Sequence, residues 1–573
     1  MSYRVPVGEI AFCAERITGQ DRLAATGLFA EATVETRAAI LDEAARMAEG
    51  ALVPVNRNGD LHPARLENGV VRCPPGFDQG YRAIADGGWI GISAPQSYGG
   101  MGLPISFATY LHEIMAAACL SLSVNPLLTQ GQIEALEHHA PDEIKALYLP
   151  KLISGEWSGT MNLTEPQAGS DVGALTTRAE PAGDGTWRIT GQKIFITWGD
   201  HDLCSNICHL VLARLPDAQP GTRGISLFLV PKYLPDEAGA PGVANRLRAV
   251  SLEHKLGLHG SPTAVMEYDG ATGWLIGSPQ GGMAAMFTMM NKARLGVGAE
   301  GLGIAEAATQ KAVAFALERR QGRTPDGSGS ISGHADVRRM LMTMQALTRT
   351  ARAICYDCAL SLDMARADDP EGVWAARAAF LTPIAKAVGT ETGIEVANLG
   401  IQVHGGMGFI EETGAAQYLR DVRVTAIYEG TNGIQAMDLV GRKLADGGAA
   451  ALRLLAEIEE TARQLSEADG APADIAPAIR AAAGHVRTAT EWMLAAPDIN
   501  DRYAGATPYL RLWGHALGAH YMGRAALAEP QGARLALARF HAHQIAPQTA
   551  GLLAAATQGA APLYEVPAEE LSA

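Results

Sequence analysis

Nine residues late in the chain, Ile427-Tyr428-Glu429-Gly430-Thr431-Asn432-Gly433-Ile434-Gln435, set one carboxylate between an aromatic ring and a Gly-Thr step. Ile427 and Tyr428 are apolar neighbours of the kind that lift a carboxyl pKa toward neutrality, as a general base working near pH 7 requires. Gly430 and Gly433 let the backbone approach a ligand closely, because no Cβ stands in the way. The plain alternative is a helix N-terminus, beside which a carboxylate is favoured without any chemistry. On these nine residues alone that alternative is the stronger one.

Three other segments carry chemistry. Thr164-Glu-Pro-Gln-Ala-Gly-Ser170-Asp171, expected where helix gives way to strand, offers two hydroxyls and a glycine around a Pro-set turn. Such a loop suits a polar ligand or is simply a capped turn. Phe195-Ile-Thr197 puts an aromatic ring and a hydroxyl at a strand end, the apolar face and donor that an isoalloxazine ring needs. Gln402-Val-His404-Gly405-Gly406-Met-Gly408 is either a backbone cradle for an anion or the last turn of a helix, at even odds. His404 by itself reads as structural.

Other candidates fall away. Gly296-Val-Gly298-Ala-Glu-Gly301 matches G-x-G-x-x-G, but methionines at helical spacing precede it where a dinucleotide site needs a strand. The glycines are expected to let helices pack closely, and the methionines to fill core. Cys355-x-x-Cys358 sits in helix-like sequence and reads as buried thiols, not a redox pair. Cys204 and Cys208 lie near His201 and His209 without convincing zinc spacing, so no metal is expected.

The elements that must position these residues are mostly helical. The division expected is an N-terminal segment 1–35, a helical domain 36–156, a β domain 157–282, a helical catalytic domain 283–444 and a C-terminal helical domain 445–573. The middle region is a run of strands without βαβ alternation, as in Thr186–Thr197, His209–Arg214, Gly224–Pro231 and Ala264–Tyr268, the last followed by an Asp269-Gly270 turn. The chain of 573 residues carries net charge −15 with scattered basic residues, which argues against nucleic acid and anionic membrane as partners. Its start has no apolar signal core and no uninterrupted apolar run spans a bilayer. A cytoplasmic protein is expected.

The order of these motifs, with Glu318-Arg319 between them, resembles the acyl-CoA dehydrogenase family over about residues 36 to 444. The resemblance implies a mainly α fold, with a helical domain, a β-barrel-like middle domain and a four-helix-bundle domain, here extended by a C-terminal helical domain. It implies FAD, with Glu429 removing the α-proton of an acyl thioester while the β-carbon gives hydride to flavin N5, yielding a trans-2-enoyl-CoA. Thr164, Thr197 and Phe195 would meet the flavin ring, Thr431 FAD as well, and Arg319, Gln402, Gly405 and Gly406 its pyrophosphate and adenosine across a dimer interface. Ser170, Asn291, Arg294, Tyr428 and Gly430 would face the substrate, 3-methylmercaptopropionyl-CoA or another short or medium acyl-CoA. An electron-transferring flavoprotein is the expected acceptor and a homodimer or higher homo-oligomer the expected assembly. Phe195 departs from the tryptophan that many members carry. The rival readings are an acyl-CoA oxidase that uses oxygen and a silent acyl-CoA-binding scaffold.

Overall fold

The computed structural model describes residues 3–468 and 471–572, without the side chains of Asn291 and Ala471. The expectation for Asn291 therefore lies outside the described residues. The chain divides into two compact units, Glu43–Ala293, and Met1–Asp42 joined with Arg294–Ala573.

In the Glu43–Ala293 unit, helix α1 (Ile105–His139) is long and apolar enough to cross a membrane, yet its apolar window is wholly buried in protein. Glu113, Asn125 and Gln130 interrupt its apolar run, and these are buried too. The strands of its main sheet are β1 (Trp157–Asn162), β2 (Arg178–Pro181), β3 (Trp187–Thr197), β4 (Asn206–Arg214), β5 (Ile225–Pro231), β6 (Leu247–Leu252) and β7 (Thr263–Ile276). Pairing runs β7–β3–β2–β4–β5 and back to β7, a closed circuit of five strands, with β6 and β1 on its flanks. Ile189, Ile196, Val211, Phe228, Val230 and Met266 fill its core. β4 and β5 are buried almost throughout and so show no alternation in sequence. At Asp269-Gly270 the expected turn is absent. β7 runs on through a bulge there, with Gly270 at φ 70° supplying the left-handed step.

In the other unit, α2 (Gly282–Glu318, described here from Arg294), α3 (Ala335–Ala367) and α4 (Val373–His404) form the helical core. The G-x-G-x-x-G segment lies inside α2, as its flanks predict. A Cβ at Gly298 would stand 2.6 Å from the Ala385 carbonyl oxygen, and one at Gly301 would stand 2.2 Å from that of Gly389. Those glycines bring α2 and α4 backbone to backbone. Cys355 and Cys358 are buried on α3.

Past α5 (Asn432–Gly441), helices α6 (Ala449–Glu467), α7 (Ala476–Ala495) and α8 (Ile499–Ala528) pack onto this core. Asp357 of α3 accepts from Arg377 at 2.7 Å and from the Tyr521 hydroxyl at 2.5 Å, while Arg377 also pairs with Glu457. Trp513 meets Phe380 edge-on at 5.0 Å. The N-terminal segment joins the same unit, with Glu9 bound by Arg534 at 2.6 Å.

Candidate active site

The 427–435 segment is a tight loop that opens α5. Thr431 caps that helix, its hydroxyl oxygen accepting from Ile434 N–H at 3.2 Å. The buried Gln435 amide donates back to the carbonyls of Glu429 and Gly430, both at 3.3 Å. Gly430 is left-handed at φ 84°, and so is Glu429 at φ 56°, where a carboxylate side chain is strained. The helix-terminus reading is thus true of the loop, with a strained carboxylate held beside it.

Burial pushes the Glu429 carboxyl up to about 7, against the pull of Arg294 and Lys386. The residue keeps part of its surface accessible while the carboxyl itself is desolvated. The expected source of that desolvation is only half right. Ile427 points outward at 51% exposure. Tyr428 turns its hydroxyl inward, donating to Glu300 Oε2 on α2.

Arg294 is buried at 6% exposure, 4.0 Å from Asp438 of α5, and burial lowers its pKa. Lys386 on α4 is fully buried and donates to Asn432 Oδ1 at 2.9 Å. Burial brings Lys386 down to about 8, opposed by the charges of Glu429 and Glu300. The structure therefore gathers Arg294, Tyr428, Glu429, Gly430 and Thr431 in one place. It adds Glu300 and Lys386, which the motif reading missed. Their signal was a lone charge inside an otherwise small and apolar helical run, as in Gly298-Ala-Glu300-Gly and Ile384-Ala-Lys386-Ala.

Arg319, Gln402, Gly405 and Gly406 form a separate surface of the same unit. The His404 ring stacks on Phe315 at 4.4 Å, tying the end of α2 to the end of α4. Arg319 is exposed just beyond α2, and Gln402 and both glycines are exposed at the end of α4, where Gly405 caps the helix. Nineteen residues of helix separate Arg319 from Glu300, roughly 28 Å. This glycine segment takes the helix-end form. Neither Gly405 nor Gly406 has anything within 4 Å of where a Cβ would stand, so the backbone is open to a ligand.

In the Glu43–Ala293 unit, the 164–171 loop follows strand β1, not a helix as expected. The Thr164 carbonyl accepts from Ile194 N–H of β3 at 2.9 Å. Lys193 reaches the other way, to the Leu163 carbonyl at 3.0 Å and to Glu165 at 2.8 Å. Thr164 is thereby held beside Phe195. Phe195 is 59% exposed between buried Ile196 and the β3 interior, and is left-handed at φ 59°. A large ring kept outward at backbone cost, with Thr164 and Thr197 near it, fits the face of an isoalloxazine. Ser170 is exposed farther along the loop.

The residues present thus fit FAD, and the chain's likeness to known proteins agrees. It matches the acyl-CoA dehydrogenase N-terminal domain over residues 33–156, the middle domain over 160–271 and the C-terminal domain over 280–444. Residues 454–567 match the acetyl-CoA dehydrogenase C-terminal-like domain. A 3-methylmercaptopropionyl-CoA dehydrogenase of Ruegeria pomeroyi is 46% identical over 92% of this chain and 91% of its own length. A broad-specificity linear acyl-CoA dehydrogenase of Mycobacterium tuberculosis is 35% identical, over 80% of this chain and 78% of its own. Caenorhabditis elegans ACDH-11, solved in complex with C11-CoA, shares the fold at TM-score 0.79 and 20% identity, covering 95% of this chain and 91% of that one. Four domain matches in order, and relatives this similar over most of the chain, make it a member of the acyl-CoA dehydrogenase family.

Proposed function

We propose that this protein dehydrogenates 3-methylmercaptopropionyl-CoA, or another short or medium acyl-CoA, with Glu429 as the base that removes the α-proton. The observation that carries this is the Glu429 carboxyl, desolvated to a pKa of about 7 on a left-handed residue and, among the described residues, without a side-chain hydrogen bond that would make it a weaker base. The narrower substrate rests on the Ruegeria relative alone.

Bound FAD supplies the acceptor for the hydride that leaves the β-carbon. The rest is work for the chain. Glu429 takes the α-proton onto its carboxylate. Its backbone N–H donates to the thioester carbonyl, where negative charge grows as the proton departs. Arg294 serves the CoA portion, Tyr428 and Gly430 the acyl group, and Ser170 the pantetheine arm. Thr164, Phe195 and Thr197 hold the flavin ring in place, and Thr431 caps α5 while its own O–H faces FAD. Arg319, Gln402, Gly405 and Gly406 bind the adenosine end of FAD in a homodimer. Electrons pass to an electron-transferring flavoprotein in the cytoplasm. The five-part division at residues 35, 156, 282 and 444 belongs to the same reading.

Glu429→Gln tests it. Flavin bleaching by acyl-CoA under anaerobic conditions is expected to slow by about a thousandfold or more, with FAD retained. Near-normal bleaching in that variant sinks the assignment. A panel of methylmercaptopropionyl-, butyryl-, octanoyl- and branched acyl-CoAs identifies the chain, and a clear octanoyl preference retires the sulfur substrate. Rapid hydrogen peroxide formation in place of electron-transferring flavoprotein reduction would make the protein an oxidase.

A further inference from the structure

Glu300 lies in the middle of α2 at 2% exposure, in the glycine-rich stretch that packs against α4. Its Oε2 accepts from the Tyr428 hydroxyl, and its Oε1 is buried with no hydrogen-bond partner among the described residues. A well-packed apolar side chain would occupy such a place at less cost.

The groups facing Glu300 are few. Tyr428 and Glu429 come from the loop before α5, and Lys386 comes from α4. Arg294, earlier on α2, acts on Glu429 and is also drawn to Asp438. Lys386 thus stands against both carboxyls of this pair, with Arg294 and, more weakly, Glu391 also acting on it. Two anions against one ammonium in a space of low dielectric is the unfavourable arrangement, and one of each is the favourable one.

We propose that Glu300 is a positioning residue for the base: as an uncharged acid it anchors the Tyr428 hydroxyl, and so the Glu429 loop, and leaves Glu429 as the one anion of this pair. The proposal rests on Glu429 being the base. Burial pushes Glu300 up to about 8, helped by the Glu429 charge and opposed by the Tyr428 hydrogen bond and by Lys386. The two carboxyls therefore titrate as a pair, one proton leaving near 7 and the second near 8. Ionised Glu300 puts a second negative charge in the pocket and opposes the charge that grows on the thioester oxygen.

The test measures anaerobic flavin reduction and the melting temperature of the holoenzyme between pH 6 and 9.5. Wild-type reduction is expected to rise through about pH 7 and fall above about pH 8. Glu300→Gln keeps a neutral acceptor for Tyr428, so it retains the rise and loses the fall. Its melting temperature gains on wild type as pH increases, because the wild-type fold holds a proton that the unfolded chain has released. Tyr428→Phe removes a bond that favours the ionised acid, so the alkaline midpoint moves up in pH. A Glu300→Gln enzyme with the wild-type alkaline limb and a parallel melting curve overturns the proposal, as does an unmoved midpoint in Tyr428→Phe. The melting curves report the Glu300 charge whether or not Glu429 is the base. Failure of the base assignment shows instead in Glu429→Gln.

Discussion

Each unit buries a lysine with glutamate, and the two burials have opposite consequences. In the Glu43–Ala293 unit, Lys193 and Glu165 pair at 2.8 Å with side chains 0% and 2% exposed. Burial opposes the charge on Glu165, but it is outweighed by Lys193 and by donors from Thr177 and Thr176, which bring the carboxyl down to about 2. In the other unit, burial wins, and Glu429 and Glu300 are pushed up to about 7 and 8 with Lys386 close by. The residue types are the same. What differs is how many donors reach the carboxylate. Filled with hydrogen bonds, it becomes a fixed anion that staples a loop to a strand. Left short of them, it keeps its affinity for a proton.

Exchanging acid for amide should therefore fail in two different ways. Glu429→Gln loses about a thousandfold or more in flavin reduction, roughly 4 kcal/mol of activation free energy, with no loss of folding stability. Glu165→Gln strands the buried Lys193 ammonium and is expected to cost about 3–5 kcal/mol in folding stability by denaturant titration. A stable Glu165→Gln, or a Glu429→Gln that unfolds readily, would erase the contrast.

The same contrast predicts opposite pH slopes. The folded Glu165 has a lowered pKa, so its contribution is present above the unfolded value of 4.5 and is lost as pH falls toward 2. The folded Glu429 and Glu300 have raised values, so the fold binds protons more tightly than the unfolded chain. Their contribution is present below 4.5 and is lost as pH rises through 7 to 8. Stability curves of Glu165→Gln and Glu300→Gln, each subtracted from wild type, should slope in opposite directions. Parallel difference curves would mean that the two carboxyls do not differ as described.

Much of this site was legible because its parts are local in sequence. Glu429, Gly430 and Thr431 are neighbours that the family resemblance singles out where their turn chemistry alone does not, and Phe195 stands at the end of an alternating strand. The role of Glu300 was not legible, since its partner Tyr428 is 128 residues away and meets it only in the folded unit. Lys386 is similar, bonded to Asn432 across 46 residues. The Asp269-Gly270 step failed for another reason. A bulge and a turn make the same local demand for a left-handed glycine, and only pairing with β3 decides between them. Ile427 misled because a residue beside a buried carboxyl need not be buried with it.

The smallest effect belongs to a single donor on the well-bonded side. Thr176 is exposed, and its hydroxyl donates to Glu165 Oε2 at 2.9 Å, an oxygen that also accepts from Thr176 N–H and Gln167 at 2.7 Å. Thr176→Val keeps the β-branched shape and removes only that hydroxyl. With the remaining donors and Lys193 in place, the loss should be about 0.5–1.5 kcal/mol in denaturant midpoints, with flavin content unchanged. Redundancy is what this reads. A loss comparable to that of Glu165→Gln would mean that one hydroxyl, and not the whole donor set, holds the carboxylate in its charged form. Tyr428→Phe is the counterpart at the other pair, where Glu300 has one side-chain donor among the described residues, so the same kind of deletion moves a titration and not merely a melting point.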